Sequence, residues 1–271
     1  MKKTALAAAA ACALVLPALA ANGIVISLKS TANGGPPVTN QIQIDPNHMR
    51  AEVTGASGAK SAVMFDGVKQ VMDIVDVEKK TYFEITKSDV DGMAAQLSSA
   101  MSQMQQQMAN LPPEQRARIE AMMKGRGMPG VTAPASKPFY KKTGSATVGK
   151  WKCDLYEGYE GERKTSEVCA ASPSALGLTD SDFTISKQVA EFFGKLFPQR
   201  ANEMFSIGSV ADRGYDGVPV RTTIYNEGGR VTTTELTDVS RQNIPESTFT
   251  VPAGFQKTDS PLAGRGRRGG Q

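Results

Sequence analysis

Between Ile24 and Ile85 apolar residues recur at every second position in short runs, and Gly, Asp or Asn breaks one run from the next. Ile24, Ile26 and Leu28 alternate with Val25, Ser27 and Lys29, and Ile42 and Ile44 alternate with Gln41 and Gln43. His48 to Thr54, Ala62 to Phe65, Val68 to Val75 and Thr81 to Ile85 extend the series. A period of two sends alternate side chains to opposite faces of a sheet. Runs this short, separated by turn residues, predict an antiparallel meander.

The period then changes. Thr86 followed by Asp89 resembles a capping box with Asp in place of Glu. Behind it Met93, Leu97, Met101, Met104, Met108 and Leu111 recur at steps of three and four, which places them on one face of a helix. Gln and Ser fill the other faces. Asn110, Pro112 and Pro113 end this helix and open a second, from about Glu114 to Lys124. Gly125 to Pro138 reads as a loop. Strands are expected again at Ala146 to Glu157 and Arg163 to Ala171, and a third helical region from about Asp180 to Phe197. Its apolar face is Ile185, Val189, Phe192, Phe193, Leu196 and Phe197. Strands resume at Val218 to Tyr225 and Arg230 to Val239, joined by the turn Asn226-Glu227-Gly228-Gly229. Phe249 to Val251 reads as a last short strand.

Strands form the scaffold and helices are inserted between groups of them, so the expected class is α+β rather than alternating βαβ. A strongly curved antiparallel sheet with helices packed on its concave face would bury the alternating strand residues together with both helical stripes. The expected organisation is a single domain over residues 21–257, with a helical insertion at 87–124. A basic disordered tail is expected at 258–271, where Arg265, Arg267 and Arg268 lie among glycines.

The N-terminus supplies the compartment. Lys2 and Lys3 precede a small-apolar run from Thr4 to Leu16, and Ala18-Leu19-Ala20 has the A-x-A form of a signal-peptidase site. Cleavage is expected between Ala20 and Ala21, giving a periplasmic or secreted protein. A lipoprotein attached at Cys12 is the alternative, but a lipobox calls for Leu where Ala9 stands. The chain carries 31 Lys and Arg against 27 Asp and Glu, and loss of Lys2 and Lys3 halves that excess. Such a balance excludes a nucleic-acid surface. The three tail arginines offer peripheral contact with anionic lipid.

With Cys12 removed, Cys153 and Cys169 remain. They flank Gly161 evenly, so a simple hairpin would set them opposite one another, and in an oxidising compartment they are expected to form a disulfide. His48 is the only histidine and no G-x-S-x-G accompanies it, so no triad can be assembled on it. No catalytic residue, metal site or cofactor is expected. The methionines Met101, Met104 and Met108 have a sharper alternative, because thioethers suit Cu(I). Leu97 and Leu111 continue the same stripe, which packing requires and copper does not.

Three segments resemble a known family: Ala62-Val63-Met64-Phe65-Asp66 with Val71 to Ile85, Trp151-Lys152-Cys153-Asp154-Leu155-Tyr156, and Phe249-Thr250-Val251-Pro252-Ala253-Gly254-Phe255. They are similar to an envelope family catalogued as domain of unknown function 4412, over roughly Gly23 to Lys257. The fold this implies resembles the lipoprotein-carrier half-barrel of LolA, LolB and mycobacterial lipoprotein relatives. That fold is an open curved sheet whose concave face holds helices and, in carriers, acyl chains. The long Met/Gln helix pair from Asp89 to Lys124 is less regular family material.

The expectation is a non-enzymatic periplasmic protein that binds an apolar ligand, an acyl chain or a lipoprotein. Its groove would be lined by Leu97, Met101, Met104, Met108, Phe192, Phe193 and Leu196. The alternatives are a structural or interaction protein whose cavity is filled by its own helices, and a Met-rich Cu(I) binder. Ligand identity, partner and oligomeric state are left open by the sequence.

Overall fold

The structure, a computed structural model, describes residues 20–55, 58–112, 114–116, 118–119, 139–196, 214–226 and 228–260. The period-two runs form β1 (Ala20–Ala32), β2 (Val38–Ile44), β3 (His48–Thr54), β4 (Lys60–Asp66), β5 (Val71–Asp76) and β6 (Thr81–Thr86). Helix α1 (Lys87–Ala109) follows directly, then β7 (Phe139–Val148), β8 (Trp151–Glu160) and β9 (Arg163–Ala171). Two 3-10 turns (Pro173–Leu176, Asp180–Phe183) lead into α2 (Thr184–Gly194). The chain continues through β10 (Val218–Tyr225), β11 (Val231–Pro245), a 3-10 turn (Glu246–Phe249) and β12 (Gln256–Lys257).

All twelve strands lie in one curved, unclosed sheet of order β12-β6-β5-β4-β3-β2-β1-β11-β10-β9-β8-β7. Every pairing is antiparallel except that of β12, which runs parallel to β6 through Gln256–Thr81 and Lys257–Tyr82. The first strand therefore sits in the middle, between β2 and β11.

Two successive turns in the meander have the same construction. The Asp66 carboxylate accepts hydrogen bonds from the amides of Val68 (3.0 Å) and Lys69 (2.8 Å), and the Asp76 carboxylate accepts from the Lys79 amide (3.0 Å). Each turn ends on a left-handed residue, Gln70 (φ 56°) or Lys80 (φ 51°). Aspartate at a strand end thus draws the next four residues out of the sheet. For this reason Val68 lies in a turn rather than in the strand expected from Val68 to Val75. Likewise, Ala146 to Glu157 is not one strand: Gly149 (φ 55°) and Lys150 turn the chain, ending β7 and starting β8. Phe249 to Val251 is not a strand either. The final strand is Gln256–Lys257, and Phe249 closes a 3-10 turn. The expected second helix lies partly outside the described residues, and the loop 125–138, Phe197 and most of the tail lie wholly outside them.

The main core lies on one face of the sheet. Ile24 and Ile26 of β1, Ile44 of β2, Met49 of β3, Phe65 of β4, Met72 of β5 and Ile85 of β6 gather there with Val148, Trp151, Val220 and Leu236 from the other half. Helix α2 lies against this face and contributes Ile185, Val189 and Phe192, each at most 3 % exposed. Phe192 meets Phe65 edge-on at 5.3 Å. Gly67 permits the approach. A Cβ there would lie 2.7 Å from Ile185 Cδ1 and 3.1 Å from the Asn47 carbonyl, so a larger residue would lift α2 from the β4–β5 turn.

Smaller clusters occupy the opposite face. Tyr156, Val168 and Ala170 are covered by Tyr215, whose ring meets Tyr140 edge-on at 4.8 Å. Across β4 to β6, Ala62, Met64, Val75 and Tyr82 are covered by Val251 and Phe255 from the C-terminal segment.

The Cys153–Cys169 disulfide is present, with 5.3 Å between Cα atoms. Its register differs from that of a simple hairpin. Glu160 pairs with Arg163 around the turn at Gly161, but a bulge at Gly158/Tyr159 then shifts the ladder, so Cys169 faces Leu155 and Asp154 faces Ala170. The two cysteines are diagonal neighbours on the core face rather than direct partners. Two things account for the change: the turn is the pair Gly161-Glu162 rather than Gly161 alone, and the bulge, which sequence spacing does not reveal, shifts the ladder by one residue more.

Candidate functional site

Helix α1 begins on a complete capping box. Thr86 Oγ1 accepts from the Asp89 amide (3.2 Å), and Asp89 Oδ2 accepts from the Thr86 amide (2.8 Å) and hydroxyl (2.6 Å). The Thr86 hydrogen bonds hold the Asp89 carboxyl below its ordinary range. A charged Asp89 in the first turn also suits the positive end of the helix dipole. Val90 enters the core at 1 % exposure and Met93 packs against its edge. An ion pair between Lys195 Nζ and Asp91 Oδ1 (2.7 Å) sets the end of α2 beside the first turns of α1.

From that point the stripe leaves the core. Leu97 is 47 % exposed, Met101 46 % and Met104 40 %. Met108, one turn further on, is buried again at 6 %. Below it Arg116 closes the helix: its Nε donates to the Met108 carbonyl (3.1 Å) and its Nη2 to the Ala109 carbonyl (3.1 Å). The Met108 carbonyl also accepts from the Leu111 amide (3.2 Å) just past the helix end, and the last turn itself carries no basic residue. The helix is thus fixed at both ends, and its middle presents an apolar strip with no charged side chain between Gly92 and Asn110.

The residues expected to line one groove therefore divide into four settings, with Met108 buried at the end of α1. Phe192 lies within the core. Phe193 and Leu196 pack at its edge, Phe193 meeting Phe192 edge-on at 5.0 Å. Leu97, Met101 and Met104 face outward, so the sheet does not bury both helical stripes as expected. Met101 and Met104 share an exposed face while Met108 does not, so the three thioethers have different surroundings.

His48 has a structural setting. The Asp45 carboxylate accepts from the amides of Asn47 (2.8 Å) and His48 (2.6 Å), and His48 Nδ1 lies 2.9 Å from Asp45 Oδ2. The ring stacks on Phe249 at 5.3 Å. This clasps the β2–β3 turn to the C-terminal segment. Among the described residues no group of three or more His, Cys, Asp or Glu side chains is placed to hold a metal ion. A depression of about 480 Å³ lies beside β7–β9, where Lys152, Asp154 and Ser172 contribute to its wall, away from the α1 stripe.

The sequence reading did not single out Asp73. It is the one charged residue in the apolar run from Val71 to Val75. Strand alternation puts it on the face opposite Met72, directly across from Glu84 of β6, and its Oδ1 is buried without a hydrogen-bond partner. A lone acid within an otherwise apolar strand was the signal that could have found it.

The chain belongs to the family described as Domain of unknown function (DUF4412), whose profile matches residues 86–255. The match includes α1, which looked least typical of the family, and stops short of the β4–β6 segments that suggested the resemblance. No curated protein matches the sequence. Among solved structures, an uncharacterized conserved protein from Thermus thermophilus is similar at 7 % identity and TM-score 0.44, covering 89 % of this chain and 91 % of that one. The MucA/MucB complex of Pseudomonas aeruginosa is similar at 14 % identity and TM-score 0.35, covering 87 % of this chain but only 58 % of the other, so this chain spans little more than half of that one. A LolA superfamily protein from Nitrosomonas europaea is similar at 8 % identity and TM-score 0.26, covering 87 % and 91 %.

Proposed function

We propose that this is a non-enzymatic envelope protein that binds an apolar ligand, an acyl chain or the lipid of a lipoprotein, along the outward strip of α1 and the adjoining edge of the core at Phe193 and Leu196. One observation carries this reading: Leu97, Met101 and Met104 form an uncharged, exposed stripe that continues from the buried Val90 and the half-buried Met93. Exposed apolar strips continuous with a core edge mark binding surfaces more often than single scattered residues do. Methionine suits the task, because its flexible thioether adapts to ligands of different shape. The signal-like N-terminus supports an export route and a periplasmic or secreted location, with cleavage between Ala20 and Ala21.

A closed structural or interaction protein is the second reading. It is favoured by α2, whose Ile185, Val189 and Phe192 already fill the space over the sheet. Binding would then have to occur at the rim and not in an interior cavity. A fluorescent fatty-acid probe separates the two. On the binding reading the wild type takes up the probe, and Met104→Asp stays folded but loses most of that affinity. Absence of probe binding by the wild type, with no lipid in native mass spectra of protein taken from periplasm, would leave the closed-domain reading.

A further inference from the structure

The C-terminal segment crosses the face of the sheet opposite α2. Arg50 Nη1 donates to the Thr248 carbonyl (3.2 Å), Phe249 stacks on His48, and Val251 and Phe255 cover Ala62, Met64 and Val75. The segment then runs along the edge of β6, where the Gln256 amide donates to the Lys80 carbonyl (2.9 Å) and the Thr258 amide to the Tyr82 carbonyl (2.8 Å). Beneath this strap Asp73 and Glu84 stand directly opposite one another on β5 and β6. Lys257 from β12 forms an ion pair with Glu84. The remaining charged groups around Asp73 are Lys69 and Asp66 in the β4–β5 turn, themselves paired at 2.8 Å. Beyond Met64 lies Arg50, which is paired with Glu52. Glu246 at the start of the strap acts on Lys69.

Two carboxylates facing each other under a cover, with one lysine paired to only one of them, leave the other short of a partner. The buried, unbonded Oδ1 of Asp73 is that shortfall. We propose that the strap, residues 246–258, is a pH-responsive latch, held most tightly while Asp73 is protonated and loosened when that proton leaves. The sign follows from the surroundings. Burial, and then the Glu84 carboxylate, push the Asp73 pKa up to about 6, against the smaller opposing pull of Lys257 and Lys69. A group whose pKa is raised in the latched state and ordinary in the open one favours the latched state at low pH. That advantage is lost as pH climbs from the ordinary aspartate range through about 6, and is constant above it. Opening would free the Lys80 and Tyr82 carbonyls at the end of the sheet. The latch does not depend on what the α1 stripe binds.

Amide hydrogen exchange at Gln256 and Thr258, corrected for intrinsic rates, tests it directly. The open fraction should rise about tenfold between about pH 5 and about pH 7.5, while amides in β9 show no comparable change. Asp73→Asn should remove the pH dependence and keep the strap closed. Should Asp73→Asn fail to fold, the wild-type Asp73 carboxyl can be titrated by NMR and should show a midpoint near 6. Lys257→Met should move that midpoint upward. A wild-type midpoint in the ordinary aspartate range overturns the latch, as does an Asp73→Asn variant whose strap amides keep the wild-type pH dependence.

Discussion

Helices α1 and α2 both carry a stripe of apolar residues at helical spacing, and the molecule treats them in opposite ways. In α2 the stripe is Ile185, Val189 and Phe192, and it is sealed against the sheet. In α1 the middle of the stripe is Leu97, Met101 and Met104, and it faces outward. The difference lies in the partner surface and not in the periodicity. Beneath α2 are Phe65, Met49 and Met72 from three adjacent strands and a glycine at position 67 that admits the helix. The exposed part of α1 has no such floor among the described residues. Its ends are fixed by Val90, Met108 and the Arg116 cap, and the strip between them stays exposed. A periodic stripe identifies a face of a helix but does not say whether that face meets the core.

The comparison can be broken most severely at Val189, whose side chain is fully buried. Val189→Asp should prevent folding, because an unpaired charge would be sealed under α2; circular dichroism would show it. Phe192→Ala should fold but lose about 3–5 kcal/mol in urea denaturation. A loss under about 1 kcal/mol would mean that α2 is as loosely held as α1. Cys153→Ala removes the covalent tie between β8 and β9 in the same core and should cost about 2–4 kcal/mol while leaving fatty-acid probe binding at α1 unchanged. On the α1 side, Met101→Ala should change stability by no more than about 0.5 kcal/mol, as substitutions at exposed positions usually do, yet weaken probe affinity measurably. If Met101→Ala instead costs as much as Phe192→Ala, the stripe of α1 is covered in solution and the contrast fails.

Much of the sheet was legible in the sequence. Strand β3 falls on the residues expected, β6 falls within a residue of them, and the capping box at Thr86 and Asp89 forms as its spacing implies. Three features were not legible, for different physical reasons. The β7–β8 turn is marked by a lone glycine, Gly149, within a run of strand formers, and a single glycine there reads equally as a bulge inside one strand. The bulge at Gly158/Tyr159 adds one residue to one strand, which alters register without altering composition; together with the two-residue turn Gly161-Glu162 it leaves the cysteines as diagonal neighbours. The latch under β12 depends on a parallel pairing of two residues far apart in the chain, Gln256 with Thr81, which no local pattern encodes. For the candidate site, the sequence located the stripe and the cap at its start. It did not locate the orientation, which depends on the surface that α1 meets.

The central position of β1 governs the order in which the molecule can be assembled. Ile24 must meet Arg241, and Ala32 must meet Thr232, before the two halves of the sheet become one. A chain that emerges N-terminus first therefore holds a meander with an unpaired, apolar strand along its border until β11 arrives. Pairings this distant in sequence make for slow folding, and a bare strand border invites association with other chains meanwhile. The cell that makes this protein must shield that border during the interval, and the yield of soluble protein should depend on chaperone supply more than on the stability of the finished fold.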